Sequence, residues 1–226
     1  MWLSFVALLL GAAPGHDEAL ESFRRMEQQV LKCKTFEAQI EFAITGAPAD
    51  KEVKGRLLVA RGNKMRYEID MTAAGRPHKA TTVSDGERMR TIGAVPRQND
   101  QAPKLLTEIA LSSVTRGGVW MTLYAVLENQ NPAKEYKDFD PDESFAVSDF
   151  KIGPKEMVAG REAQILEYNA KIAGESFPVT VWIDTRTNLP LKRVLKGGQD
   201  LIIVTESYTK VALDEKADDK EFEIPK

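Results

Sequence analysis

Cysteine and histidine are nearly absent from this 226-residue chain: Cys33 stands alone, and His16 and His78 are the only histidines. One cysteine excludes an internal disulfide, and two histidines are too few for a histidine-based metal cluster. A surplus of one charge is missing too. With 31 Lys and Arg against 34 Asp and Glu the net charge is −3 and the signs are interspersed, so the basic stripe that nucleic acid requires is not there. Glycine motifs that cradle phosphate are absent, and neither histidine has a serine or cysteine partner in a motif context. Ser207 to Lys210 matches S-x-x-K but falls in a predicted strand, without S-D-N or K-T-G elsewhere. Asp138, Asp140 and Asp142 begin like a calcium loop, yet the sixth position is Glu143 instead of glycine and the twelfth is Asp149 instead of glutamate. The expectation is a protein that is not an enzyme and holds no cofactor or metal.

What the chain does have begins with a short apolar run, residues 1–10, followed by Gly11, Ala12 and Ala13 and then polar His16 and Asp17. The run is too short to span a bilayer, and the small residues before His16 suit a signal peptidase, so residues 1–15 read as a secretory signal. No cysteine follows the run, which excludes a lipid anchor at that point. An exported protein with a mature domain of residues 16–226 is expected. Its apolar fraction of 42% is enough to build a substantial core.

Residues 17–34 carry Ala19, Phe23, Met26 and Val30 at helical spacing, with Asp17 placed to cap the start. Cys33 reads as a small packing residue near the helix end. Strict alternation follows at Phe36, Ala38, Ile40 and Phe42, the mark of a strand with one buried face. Residues 53–60, 65–71, 79–84 and 88–92 continue as strands, with a tight Asp85-Gly86 hairpin before the last. After residue 144 the pattern resumes at 145–152, 161–172, 177–184, 189–196 and 201–211, with turns at Gly153-Pro154, Gly174, 184–188 and Gly197-Gly198. About ten or eleven strands in sequence without βαβ spacing predict one highly curved antiparallel sheet, an α+β half-barrel whose concave face needs a filling.

Residues 103–129 supply that filling. Leu106, Ile109, Ala110, Ser113 and Val114 lie on one helical face, and Trp120, Leu123, Tyr124 and Leu127 repeat the spacing after Gly117-Gly118. Between 119 and 127 only Thr122 is polar among the first residues of an otherwise apolar helix, which therefore needs cover on several sides. A helical lid with a hinge at Gly117 and Gly118 is expected, flanked by an exposed polar loop at 130–144.

Two stretches, GRLLVARGNKMRYEI at 55–69 and VSDG at 83–86, resemble the LolA-like carriers of outer-membrane lipoproteins, and WIDTRTNLP at 182–190 and the F-x-x-P at 222–225 resemble later turns of the wider superfamily. The resemblance implies an unclosed half-barrel with an apolar cavity and a lid inserted between the halves of the sheet. It implies that Arg61 reaches from a strand end to the lid as its latch, and that Met65 and Tyr67 contribute to the cavity or its rim. The residue after the arginine is proline in the carriers and Gly62 here, which loosens the turn. The implied ligands are lipids or the acyl chains of lipoproteins, bound at Arg61, Met65, Tyr67, Leu106, Ile109, Trp120, Leu123, Tyr124 and Leu127. The implied setting is a monomer in the periplasm, exchanging cargo with membrane-bound donor and acceptor proteins. An envelope-stress regulator of the RseB type, acting on a protein partner, is the alternative.

Overall fold

The computed structural model describes residues 15–46, 51–73, 76–93, 97–99, 101–123, 126–127, 132–197 and 202–225. Residues 1–14, on which the expected secretory signal falls, and Tyr124 lie outside them.

Helix α1 spans His16–Leu31, and strands β1 (Thr35–Thr45), β2 (Lys51–Ala60), β3 (Lys64–Ala73), β4 (Arg76–Asp85), β5 (Met89–Gly93) and β6 (Arg97–Asn99) follow. An insert comes next: helix α2 (Leu106–Ser112), two wide π-type turns (Ser113–Gly117 and Val119–Leu123), and short helices α3 (Pro132–Glu135) and α4 (Pro141–Ser144). Strands β7 (Val147–Val158), β8 (Arg161–Ile172), β9 (Glu175–Asp184), β10 (Pro190–Gly197) and β11 (Ile202–Leu213) complete one antiparallel sheet.

The strand order is β6-β5-β4-β3-β2-β1-β11-β10-β9-β8-β7. First and last strands therefore pair in the middle, and β6 and β7 form the two edges. The insert joins edge to edge, so its route from one to the other passes across the sheet. Its side chains are buried against the face that Phe36, Ala38, Ile40 and Phe42 line. Apolar cover divides in two: α2 and the residues after it pack with β1 to β3, while α1 packs through Ala19, Phe23 and Met26 with Phe150, Leu166 and Tyr168 of β7 and β8. Phe23 sits 5.0 Å from the Phe150 ring and 5.3 Å from Tyr168.

Several turns follow sequence chemistry closely. Asp85 Oδ1 accepts the backbone N–H groups of Glu87 and Arg88, and Gly86 takes φ 110°. Asp184 Oδ1 accepts those of Arg186 and Thr187 in the same way. The C-terminal segment straps the outer face: Phe222 is buried, and Arg56 grips both carboxylate oxygens of Glu221 at 3.1 Å.

Four expectations need correction. Asp17 lies in the first turn of α1, but the capping position is Gly15 and no side chain caps it. Gly153-Pro154 is not a turn: β7 runs through it with register shifts, which an edge strand tolerates because its outer N–H groups need no partner. The segment 130–144 is not simply exposed, since Phe139 is buried and meets the ring of buried Phe145 edge-on at 5.3 Å. Among the described residues, the second lid helix is a π-type turn at Val119–Leu123 and is α-helical at 126–127. The wider winding lets backbone groups there bond to the sheet, as described next.

Candidate functional site: the inserted lid and its floor

The lid begins beside the β2–β3 turn. Asn63, with φ 62°, donates from Nδ2 to the carbonyl of Pro103 at 2.7 Å and to that of Gly86 at 3.2 Å, while its Oδ1 accepts the N–H of Thr107 at 3.2 Å. One amide thus spans the lid's entry, the neighbouring hairpin and the first turn of α2. Arg61 lies two residues away with its side chain exposed, lining the lid cleft; among the described residues the hydrogen bonds from this turn to the lid come from Asn63 and from Thr107 Oγ1 to the Ala60 carbonyl.

That cleft has a volume of about 760 Å³ and opens between the end of α1, the 61–63 turn, α2 and the Phe139–Pro141 region. Leu31, Leu105, Leu111 and Phe139 give it an apolar floor, and Lys32, Arg61 and Lys104 stand on its walls. Cys33 lies in it as well. Its thiol donates to the Val30 carbonyl, and burial, with the negative charge of Asp214, pushes its pKa up to about 11, which keeps it protonated and unreactive at neutral pH.

Below α2 the contact is apolar. Leu106, Ile109, Leu123 and Leu127 share one buried cluster with Met65 and Tyr67, and Trp120 packs at its edge, 5.5 Å from the ring of Phe42. The structure therefore brings the sequence-selected apolar residues together, Tyr124 excepted because it lies outside the described residues. In this closed form their side chains fill the concave face.

Past Ser112 the chemistry changes. The 113–120 segment lies on Arg193 and Glu206, direct partners across β10 and β11 and both fully buried. Arg193 donates to the carbonyls of Thr115 (2.9 Å) and Ser113 (3.4 Å) and to the Tyr208 hydroxyl (3.2 Å). Tyr208 donates to Glu206, Glu206 Oε1 accepts the Trp120 N–H at 2.8 Å, and Tyr168 donates to the Arg116 carbonyl at 2.7 Å. Burial works against the charge of Arg193, but Tyr168, Tyr208 and Glu206 around it outweigh that and raise its pKa. Burial and the neighbouring Glu206 hold the Tyr208 phenol well above its ordinary value. Between the two π-type turns, Gly118 adopts φ 81°, and a side chain there would stand 2.9 Å from Leu195 and 3.0 Å from Glu206. At Gly117 it would meet Thr122 at 2.3 Å. Both glycines are thus required by the closed packing.

Arg116, 8% exposed, ties the first π-type turn outward: to Glu27 of α1 at 2.6 Å, to Asp142 at 2.7 Å and to the Pro141 carbonyl at 2.7 Å. Asp140 caps α4 through the Asp142 N–H. The acidic run that resembled a calcium loop is thereby committed to a helix cap and an ion pair.

Reasoning from sequence missed Asn63, Arg116, Arg193, Glu206, Tyr168 and Tyr208. For the buried pair a signal existed: Leu191, Arg193, Leu195 and Val204, Glu206, Tyr208 alternate inward on adjacent strands, so each strand places one charge on its buried face.

An unclosed antiparallel half-barrel whose concave face is covered by a helical insert joining its two edges is the LolA-like fold, and this chain has it. Residues 126–225 match the MucB/RseB N-terminal domain family. The structure is similar to that of MucB, with TM-score 0.50 and 13% identity over 92% of this chain and 63% of that one. It is similar to LprF from Mycobacterium bovis with TM-score 0.50 and 9% identity over 90% and 96% of the two chains. The chain thus spans under two thirds of the length of MucB. No curated protein matches the sequence.

Proposed function

We propose that the protein is an exported carrier that binds acyl chains of lipids or lipoproteins on the concave face of the half-barrel, beneath the 106–127 lid. The observation that carries this reading is the lid's construction. A segment that fills an apolar concave face is joined to the sheet edges at its ends and carries a positive-φ glycine, Gly118, between its two π-type turns, which suits an exchange of sheet contacts for ligand contacts. The 760 Å³ cleft at the start of α2 is the natural entrance. Arg61, Lys32 and Lys104 on its walls suit the polar end of a lipid, and Met65, Tyr67, Leu106, Ile109, Trp120, Leu123, Tyr124 and Leu127 suit its chain. In this reading Gly117 and Gly118 are the hinge.

Magnitudes agree with a carrier. A chain of about sixteen carbons offers roughly 12 kcal/mol of burial at ~0.8 kcal/mol per CH₂, against an association cost on the order of 4 to 15 kcal/mol. Lid displacement subtracts more, leaving binding reversible enough for hand-off between membrane-bound donor and acceptor proteins. Titration with fluorescent fatty acids and acylated peptides, together with native mass spectrometry of the monomer, tests this. Saturable binding displaced by unlabelled ligand is expected; a protein that stays ligand-free and binds neither probe would sink the proposal.

The match of 126–225 to the MucB/RseB N-terminal domain favours a second reading, in which the same fold acts as an envelope-stress regulator through a protein partner. It predicts a stable complex in pull-downs from envelope extracts and no change in acyl-probe binding when the partner is removed.

A further inference from the structure

Arg193 and Glu206 present the lid with hydrogen bonds directed at peptide groups. Two carbonyls, of Thr115 and Ser113, accept from the guanidinium, and one N–H, that of Trp120, donates to the carboxylate. The other carboxylate oxygen is taken by Tyr208, and Arg193 Nε has no hydrogen-bond partner among the described residues although the side chain is fully buried. Burying a pair 3.7 Å apart costs more than an apolar pair of the same volume would, and the floor under α2 shows that this sheet can cover a lid with apolar residues alone. The polar floor therefore calls for a role beyond lid burial.

We propose that Arg193 and Glu206 are specificity-determining residues that read a secondary amide, so that the ligand admitted when the 113–120 segment lifts is an N-acylated peptide and not a free fatty acid. The inference rests on the carrier reading above. When the segment leaves, the guanidinium loses carbonyl acceptors and the carboxylate loses an N–H at the same time. A ligand restores both by bringing carbonyls and an N–H from neighbouring amide groups, as the lid itself does, and an N-acylated peptide supplies these in its successive amides. A free fatty acid brings no N–H, leaves Glu206 short of a donor, and sets a second negative charge beside it in a site whose charges already cancel. An acyl ester brings the carbonyl alone.

The test is competition for a bound fluorescent acyl probe, with the full-length protein, by an N-palmitoyl dipeptide amide, palmitic acid methyl ester and palmitate. The amide is expected to displace the probe at about tenfold lower concentration than palmitate, with the ester between them. Glu206→Gln, which removes the charge and adds a donor, is expected to erase or reverse the preference for the amide over the acid. Equal competition by amide and acid in the unaltered protein overturns the amide-reading role while leaving the carrier reading intact. Failure of the probe itself to bind overturns both. The unaltered protein supplies the deciding comparison, so a poorly folded Glu206→Gln variant does not blunt it.

Discussion

Leu106–Ser112 and the 113–123 stretch belong to one insert, yet they meet the sheet through different chemistry. The first lies on Met65, Tyr67 and neighbouring apolar side chains and is an ordinary α-helix, with its polar ties to the sheet at its first turn, through Asn63 and from Thr107 Oγ1 to the Ala60 carbonyl. The second is wound into π-type turns, and its own carbonyls and an N–H bond to buried Arg193 and Glu206. Apolar contact is non-directional and tolerates sliding, whereas hydrogen bonds to a buried ion pair are made in one geometry or lost. The helix meets the sheet through apolar burial; the polar floor sets where the lid sits. π-type turns are uncommon and recur at functional sites, and here the irregular winding is what turns backbone groups toward the floor.

Removing one partner from the polar floor should have the largest effect. Arg193→Leu strands Glu206 as an unpaired buried charge and is expected to lower unfolding free energy by about 3 to 5 kcal/mol in urea titrations. The double change Arg193→Leu with Glu206→Leu should recover most of that loss while leaving 113–123 faster in amide hydrogen exchange. A double variant as unstable as the single one would show that the pair acts through packing alone. Ile109→Ala, on the apolar side, should cost about 2 to 4 kcal/mol by leaving a cavity, with exchange rising across 106–112 and not across 113–123. Exchange rising equally in both stretches would mean the lid opens as one body.

Asn63→Ala should cost about 1 to 3 kcal/mol, since it removes the side-chain tie and places alanine at φ 62°. Asn63→Gly keeps the backbone geometry, so the difference between the two variants separates strain from hydrogen bonding. Acyl-probe dissociation should quicken in both if this turn latches the lid, and Arg61→Leu measured alongside shows whether the arginine shares that task.

The smallest effect concerns the cleft. Cys33 is raised in the folded state to about 11, so its contribution to stability is complete below its unfolded-state pKa near 9 and declines as pH rises from there toward 11. Iodoacetamide should label it slowly at pH 8 and faster toward pH 11. Bound acyl ligand should slow labelling further if the cleft is the entrance; unchanged rates with and without ligand would place the entrance elsewhere.

Much of the fold is legible residue by residue. Phe36, Ala38, Ile40 and Phe42 alternate because one face of β1 is buried, and the Asp85-Gly86 and 184–188 turns follow from aspartate and glycine chemistry that acts over a few residues. The apolar lid residues are legible for the same reason, since helical spacing records which face is covered. Gly153-Pro154 is read wrongly because its meaning depends on β7 being an edge, a fact about the whole sheet. The site was legible only on its apolar side. Asn63 is an unremarkable turn residue until the chain brings Pro103 and Thr107 to it, and Arg116 is one more helix arginine until Glu27 and Asp142 converge on it.

By itself, then, the sequence determined the strands, the local turns, the helical insert and the half-barrel they imply, because alternation and turn propensity are written within a few consecutive residues. Tertiary structure decided which residues hold the lid. Arg193 and Glu206 lie thirteen positions apart in the chain and become partners only through the register of β10 on β11, and their ligands on the lid lie some eighty positions away. Pairing over such distances is set by how the sheet closes on its insert, and no local pattern records it.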